Sequence, residues 1–151
     1  MPTAYDVPAG KLIPRIAEEL KKIETIKPPE WAAFVKTGRH REKSPIEEGW
    51  WFVRSAAVLR RIYVDGPIGT TRIAASFGGK ADKGSKPSKA VRGSRSIARI
   101  TAQQLEKSQL VKKEKDGGRT VTGKGRKLVD NLSTQILKEL AAENPELTKY
   151  L

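Results

Sequence analysis

Apolar positions recur every three or four residues through most of the chain and alternate only in short stretches. Leu12, Ile16 and Leu20, flanked by Ile13, Ala17 and Ile23, predict an amphipathic helix over residues 9–24. Pro14 suits only a first turn, where its missing N–H costs nothing, so the pattern starts this helix near Ala9 or Gly10. Lys27-Pro28-Pro29-Glu30-Trp31 is a stiff connection. It leads into a short helical turn, Glu30 to Lys36, with Trp31 and Phe34 three apart and both expected against the core. Ser44-Pro45-Ile46-Glu47 combines an N-cap, a proline at the first helical position and a capping-box glutamate, which predicts a helix start. That helix runs to Asp65, stopped by Gly66 and Pro67. Its apolar residues, from Trp50 to Tyr63, wrap most of the way round, so it is expected to be central, with Trp50 essential to the fold. Arg54, Arg60 and Arg61 interrupt it, and the spacing puts Arg54 and Arg61 on one face.

The second half has a different order. Thr70 to Phe77 predicts a short helix burying Ile73 and Phe77, and residues 78–93 a long Gly-, Lys- and Ser-rich loop. A helix over about Ser94 to Ser108 turns Ile97, Ile100 and Leu105 inward. Leu110 to Glu114 and Arg119 to Val121 read as two strands joined at Asp116-Gly117-Gly118. A last helix, Gly123 to Glu143, buries Leu128, Leu132, Ile136 and Leu140. Helix, helix, then a two-stranded wing predicts a mainly α fold: a winged helix-turn-helix core with a small β-hairpin wing and extra N-terminal helices. At 151 residues the chain supports one core, so we expect a single domain over 1–151, its N-terminal helices in 1–66 and its winged-helix half in 67–151.

Charge changes this picture from a fold to a function. The net charge is +13, and residues 67–127 alone carry +12. Self-repulsion of that size opposes compaction unless a polyanion offsets it, so nucleic acid is the expected partner and an anionic membrane surface the next. There is no cysteine, which excludes disulfides, thiolate zinc sites and thiol nucleophiles, and the single His40 cannot build a multi-histidine metal site. Neither a secretion signal nor an apolar run long enough for a membrane span is found, so a soluble, cytoplasmic, non-enzymatic protein is expected, with no cofactor and no small-molecule substrate, monomeric when free. Gly118 to Lys124 matches seven places of a phosphate-binding loop, but the eighth, which holds the magnesium through a hydroxyl, is Gly125. A hairpin leading into a helix explains those glycines better.

Two constellations carry the charge. Arg95, Arg99, Gln103 and Lys107 recur every four residues and form one helical stripe, with Arg92 just before it. Guanidinium groups so spaced reach successive phosphates. Lys80, Lys83, Lys86 and Lys89 fill the 78–93 loop against Asp82 alone, and no core holds that loop, so it is expected to be a mobile arm that orders on RNA. A groove-reading helix-turn-helix joins its helices through about 3–4 residues. This chain's sixteen-residue connection, 78–93, favours RNA over a DNA half-site. Seven of nine aromatic residues precede position 64, which leaves the basic region without a stacking platform and points to phosphate- and shape-based binding.

The residues also resemble a known family. Lys27-Pro28-Pro29-Glu30-Trp31, Val35-Lys36-Thr37-Gly38-Arg39-His40, Trp50-Trp51-Phe52 with Arg54, Phe77-Gly78-Gly79, Arg92-Gly93-Ser94 and Asp116-Gly117-Gly118-Arg119 stand in an order and spacing similar to the archaeal and eukaryotic small-subunit ribosomal protein nineteen family. The resemblance runs nearly end to end, and the compact chain fits an archaeal member. It implies a winged-helix core, small-subunit ribosomal RNA and neighbouring ribosomal proteins as partners, and a role in subunit maturation. Positions matching the family's basic surface are Lys36, His40, Arg54, Arg60, Arg92 and Arg99; Phe77 departs from the more usual Tyr. With Arg95 and Gln103 of the stripe, the loop lysines, Arg39, Arg61 and Arg119, these make up the candidate RNA-binding set. A winged-helix DNA regulator is the alternative.

Overall fold

The computed structural model describes residues 1–151. Five helices and two hairpins follow in the order α1 (Ala9–Lys21), α2 (Trp50–Asp65), α3 (Thr70–Ser76), β1 (Gly79–Lys83), β2 (Lys86–Val91), α4 (Arg95–Lys107), β3 (Val111–Lys113), β4 (Arg119–Val121) and α5 (Gly123–Glu143). The mainly α fold with a winged-helix order is as expected, α3 and α4 being followed by the β3–β4 wing. Short 3-10 turns occupy Glu30–Ala33 and Pro145–Tyr150.

The core is one cluster of 25 buried residues drawn from Ala4 to Leu137. Leu12, Ile16 and Leu20 of α1 pack on α2, whose buried face is Trp51, Ser55, Val58, Leu59 and Ile62. Ile97, Ala98, Ala102 and Leu105 of α4 close the core from the other half, and α5 covers it with Val129, Leu132, Ile136 and Leu137. The fully enclosed tryptophan is thus Trp51, with Trp31 and Trp50 edge-on to it at ring-centroid distances of 5.8 and 5.4 Å. A buried indole N–H needs an acceptor, and Trp51 Nε1 donates to Gln104 Oε1 at 2.8 Å. Tyr63 donates to Asp130 at 2.6 Å and ties α2 to α5. Burial, reinforced by that carboxylate, pushes its hydroxyl pKa up to about 12.

Four expectations are corrected. Pro14 lies inside α1, beyond its first turn, and the Gly10 carbonyl four back, left without its N–H donor, is exposed to water. The central helix starts at Trp50, not at Ser44, and Ile46 is 92% exposed. The capping box there lacks its hydrophobic staple, because the residues that would pack across it are Lys43 and Glu48. Phe34 is 83% exposed instead of packed, since the turn at Glu30–Ala33 is of 3-10 type and ends before it. In α5 Leu132 and Ile136 are buried as expected, but they are joined by Val129 and Leu137, while Leu128 and Leu140 pack only at the margin.

The largest correction concerns residues 78–93, which form the β1–β2 hairpin. Asp82 accepts from the Gly84 N–H at 2.9 Å and Gly84 takes φ 72°, which makes the turn. Pro87 and Ser88 face Asp82 alone across a register shift, so the proline sits in a bulge where no ladder donor is needed. At the root, Gly78 lies against the Val91 carbonyl and Gly93 against Phe77, spaces in which any side chain would collide. Only Ala81 is buried, and residues 82–90 project into solvent.

Removing the enclosed indole opens a cavity and strands Gln104. Trp51→Ala is expected to destabilise the protein by about 3–5 kcal/mol, and Trp50→Ala clearly less. Urea unfolding compares the two, and an equal loss at both positions would contradict this account of the core.

Candidate nucleic-acid interface

The basic surface is assembled from two distant parts of the sequence. The Ser94 N–H donates to Thr37 O at 2.9 Å and Gly38 pairs with Gly93 as an isolated antiparallel bridge, which fastens the 34–40 segment to the start of α4. Ser94 also caps α4, accepting from the Ile97 N–H at 3.3 Å. Between the two segments lies an open cleft of about 940 Å³, with Lys36 and Arg39 on one wall and Arg92 and Arg95 on the other. No acidic side chain lines it. Arg99, Gln103 and Lys107 continue from Arg95 along α4, all exposed. Lys80, Lys83, Lys86 and Lys89 stand exposed on the hairpin that leads into the same helix. Lys83 pairs directly with Lys86, a like-charge juxtaposition that costs stability until an anion neutralises it.

The other candidates stand apart from the cleft. Arg54 lies half-buried over the Phe77 ring, 4.5 Å from its centroid, in a neighbouring groove that Arg41, Ile46, Trp50 and Val53 also line. Burial and Arg41 lower its pKa from the ordinary arginine value. Phe77 thus supplies an aromatic face where the resemblance placed a hydroxyl. Arg60 is half-buried, its Nε enclosed without a partner, and Arg61 pairs with Asp65 at 2.6 Å.

His40 is wedged between two glycines: a Cβ at Gly38 or Gly79 would come within 2.7 or 2.8 Å of its ring. Its Nδ1 is enclosed without a partner, and burial, then Arg41 and Arg54, hold its pKa below 6.5. Both effects disfavour the imidazolium, and the ring sits as a spacer between loop and hairpin.

Arg119 is a correction. It is buried, donating to Thr70 Oγ1 at 3.1 Å and to Glu106 Oε2 at 3.2 Å. Glu106 is the one carboxylate on α4, so Arg119 neutralises the charge that would oppose the stripe. The phosphate-loop near-match is likewise absorbed by the fold. Gly118 packs on Pro67, and the Gly125 N–H is taken by Thr122 Oγ1 at 3.2 Å. Reading by residue type missed Phe34, which stands exposed one residue before the cleft wall. The only signal for it was the proline-stiffened approach, which leaves too few residues for a full helical turn.

The ribosomal protein S19e family matches residues 3–139. The chain belongs to that family. Among S19e relatives, the small ribosomal subunit protein eS19 of Thermoplasma acidophilum is 43% identical over 145 residues, 96% of each chain. The protein of the same name from Aeropyrum pernix is 42% identical over 153 residues and the full length of both chains. That from the animal Mya arenaria is 36% identical, across 93% of this chain and 95% of its own. No helix in this S19e protein is long and apolar enough to cross a membrane.

Two measurements test the electrostatics. Arg119→Ala leaves the partly buried Glu106 unpaired and removes the buried arginine's packing, for an expected loss of about 1–2 kcal/mol. Adding Glu106→Gln is expected to restore part of it. An Arg119→Ala protein that melts like wild type yet loses RNA affinity would return Arg119 to the surface set. For His40, the unfolded chain takes up a proton near pH 6.5 that the folded chain refuses until lower pH. Stability therefore falls as pH drops through and below 6.5. Proton NMR of the single imidazole is expected to give a midpoint under that value; one at or above it would place His40 as an exposed cation.

Proposed function

We propose that this protein is a non-enzymatic structural component of the small ribosomal subunit in the cytoplasm, holding ribosomal RNA and supporting assembly of the subunit. One observation carries the reading: an acid-free concave cleft, walled by Lys36, Arg39, Arg92 and Arg95, opens onto the α4 stripe in a chain of the S19e family. Guanidinium and ammonium groups on two walls reach phosphates from more than one direction, which suits a folded RNA whose backbone is not one straight line. The hairpin extends this surface with four further lysines. Lys36, Arg39, Arg92, Arg95, Arg99, Gln103 and the hairpin lysines form the contact set; Arg54 lines the neighbouring groove. Neighbouring ribosomal proteins complete the setting, and the small-subunit names of its relatives support it. A DNA regulator fits less well, because an entire hairpin stands where a groove-reading motif has a turn of about 3–4 residues.

Sedimentation of native cell extract through a gradient tests the assignment, with fractions probed for this protein. Comigration with the small subunit that survives moderate salt is expected; protein confined to the top of the gradient at low salt would sink the proposal. At the residue level, Arg99→Ala is expected to leave the melting temperature nearly unchanged and to weaken RNA binding. The slope of log affinity against log salt should become shallower by roughly one contact. A sharp drop in melting temperature would make Arg99 a structural residue and remove the stripe from the interface.

A further inference from the structure

Phe34 is a large aromatic side chain, 83% exposed, on a segment with little freedom to move. The 3-10 turn before it is anchored by buried Ala32 and by Trp31 against Trp51, and the Phe34 N–H donates to Trp31 O at 3.1 Å. The segment is fastened to α4 at both ends. Gln104 Nε2 donates to Lys27 O at 2.7 Å near the end of the helix, and Ser94 binds Thr37 O at its start. Residues 27–37 therefore run alongside α4, opposite in direction, bordering the basic stripe. Val35 and Lys36, which follow Phe34, already line the cleft.

We propose that Phe34 is a stacking platform for an unpaired base of the bound RNA, with the flanking phosphates held in the cleft by Lys36, Arg39, Arg92 and Arg95. This rests on the RNA reading above and adds the kind of nucleotide the site takes. Three features support it. The ring projects from a pinned backbone, so little freedom is lost when a base stacks on it. The charged side chains lining the adjoining cleft are all cationic, which suits a nucleotide's phosphate and disfavours a basic or apolar protein segment as the occupant. A base inside a duplex has both faces covered, so only a bulged, looped or terminal nucleotide gains from the ring. The aromatic residues by sequence position leave the basic region without such a platform; the fold brings one to its edge.

The test uses the full chain and two labelled RNA hairpins of identical stem, one with a single-nucleotide bulge and one fully paired, in fluorescence anisotropy at low salt. Wild type is expected to bind the bulged hairpin more tightly. Phe34→Ala should lose roughly ten-fold on the bulged RNA and nothing on the paired one. Phe34→Trp should keep the preference and add an emission that the bulged hairpin quenches and the paired one does not. Because the side chain is so exposed, neither variant should change the melting temperature. If Phe34→Ala leaves both affinities unchanged while an Arg92→Ala/Arg95→Ala double variant weakens both, stacking is wrong and the RNA interface stands. If wild type binds neither hairpin, the RNA reading fails and the platform with it.

Discussion

Gln104 joins three parts of the molecule through one amide. Its carbonyl accepts the Trp51 indole N–H at 2.8 Å, and its NH₂ donates to Lys27 O at 2.7 Å. Trp51 is the largest fully buried side chain, and its N–H would be an orphan without that acceptor. Satisfying it fixes α4 against α2. The second half of the same amide then sets the proline-stiffened segment along the flank of α4. The rest follows from this arrangement: the apolar side of α4 faces the core, its basic stripe faces out, and the 34–40 loop arrives where it can pair with Gly93. The core contact and the basic surface therefore share one residue.

The charge distribution shows a division that composition alone conceals. The ion pairs join Lys11 to Glu143, Arg15 to Glu139, Lys22 to Glu19, Arg61 to Asp65, Lys112 to Glu114 and Arg119 to Glu106. None uses a residue of the cleft, of the Arg95–Lys107 stripe or of the β1–β2 hairpin. Most of these pairs are exposed and contribute little stability each. Their arrangement still matters, because it spends the carboxylates elsewhere. Glu139 and Glu143 at the end of α5 serve α1, and Glu106 is held by Arg119 from the wing. What remains is a face of cations whose one carboxylate, Asp82, is engaged in the hairpin turn.

Much of this was legible in the sequence where a local signal and the tertiary pattern agree. The stop at Gly66-Pro67 and the turn at Asp116-Gly117-Gly118 each combine turn chemistry with a change of hydrophobic period. The stripe was legible because a helix of known phase fixes which residues share a side. Failures came where a decision was made at long range. Ser44 to Glu47 has a capping signature, but its flanking residues are charged and the apolar face begins only at Trp50. The hairpin lacks the β-branched alternation that marks strands, and it is set instead by an Asp82–Gly84 turn and by glycines that let two backbones touch at its root. Arg119 looks like every other surface arginine until the fold brings Glu106 and Thr70 to it. Phe34 was read by its apolar character, and only the length of the turn decides that it points away from the core.

The hairpin also decides what kind of surface α4 can present. A helix that enters a DNA major groove must stand clear of its own protein, since helix and groove are both about 12 Å across. Here the start of α4 is enclosed by the 34–40 loop on one side and by the root of the β1–β2 hairpin on the other, so it forms part of a concavity. The deep, narrow major groove of an A-form duplex would not admit it either. A concave cationic surface instead suits something convex, such as a turn of sugar–phosphate backbone, which is the partner the proposed function calls for. Seen this way, the self-repelling Lys83–Lys86 pair is consistent with the rest. A hairpin with one buried residue can carry it because its glycine root is closed by backbone contacts, independently of how well its tip is paired.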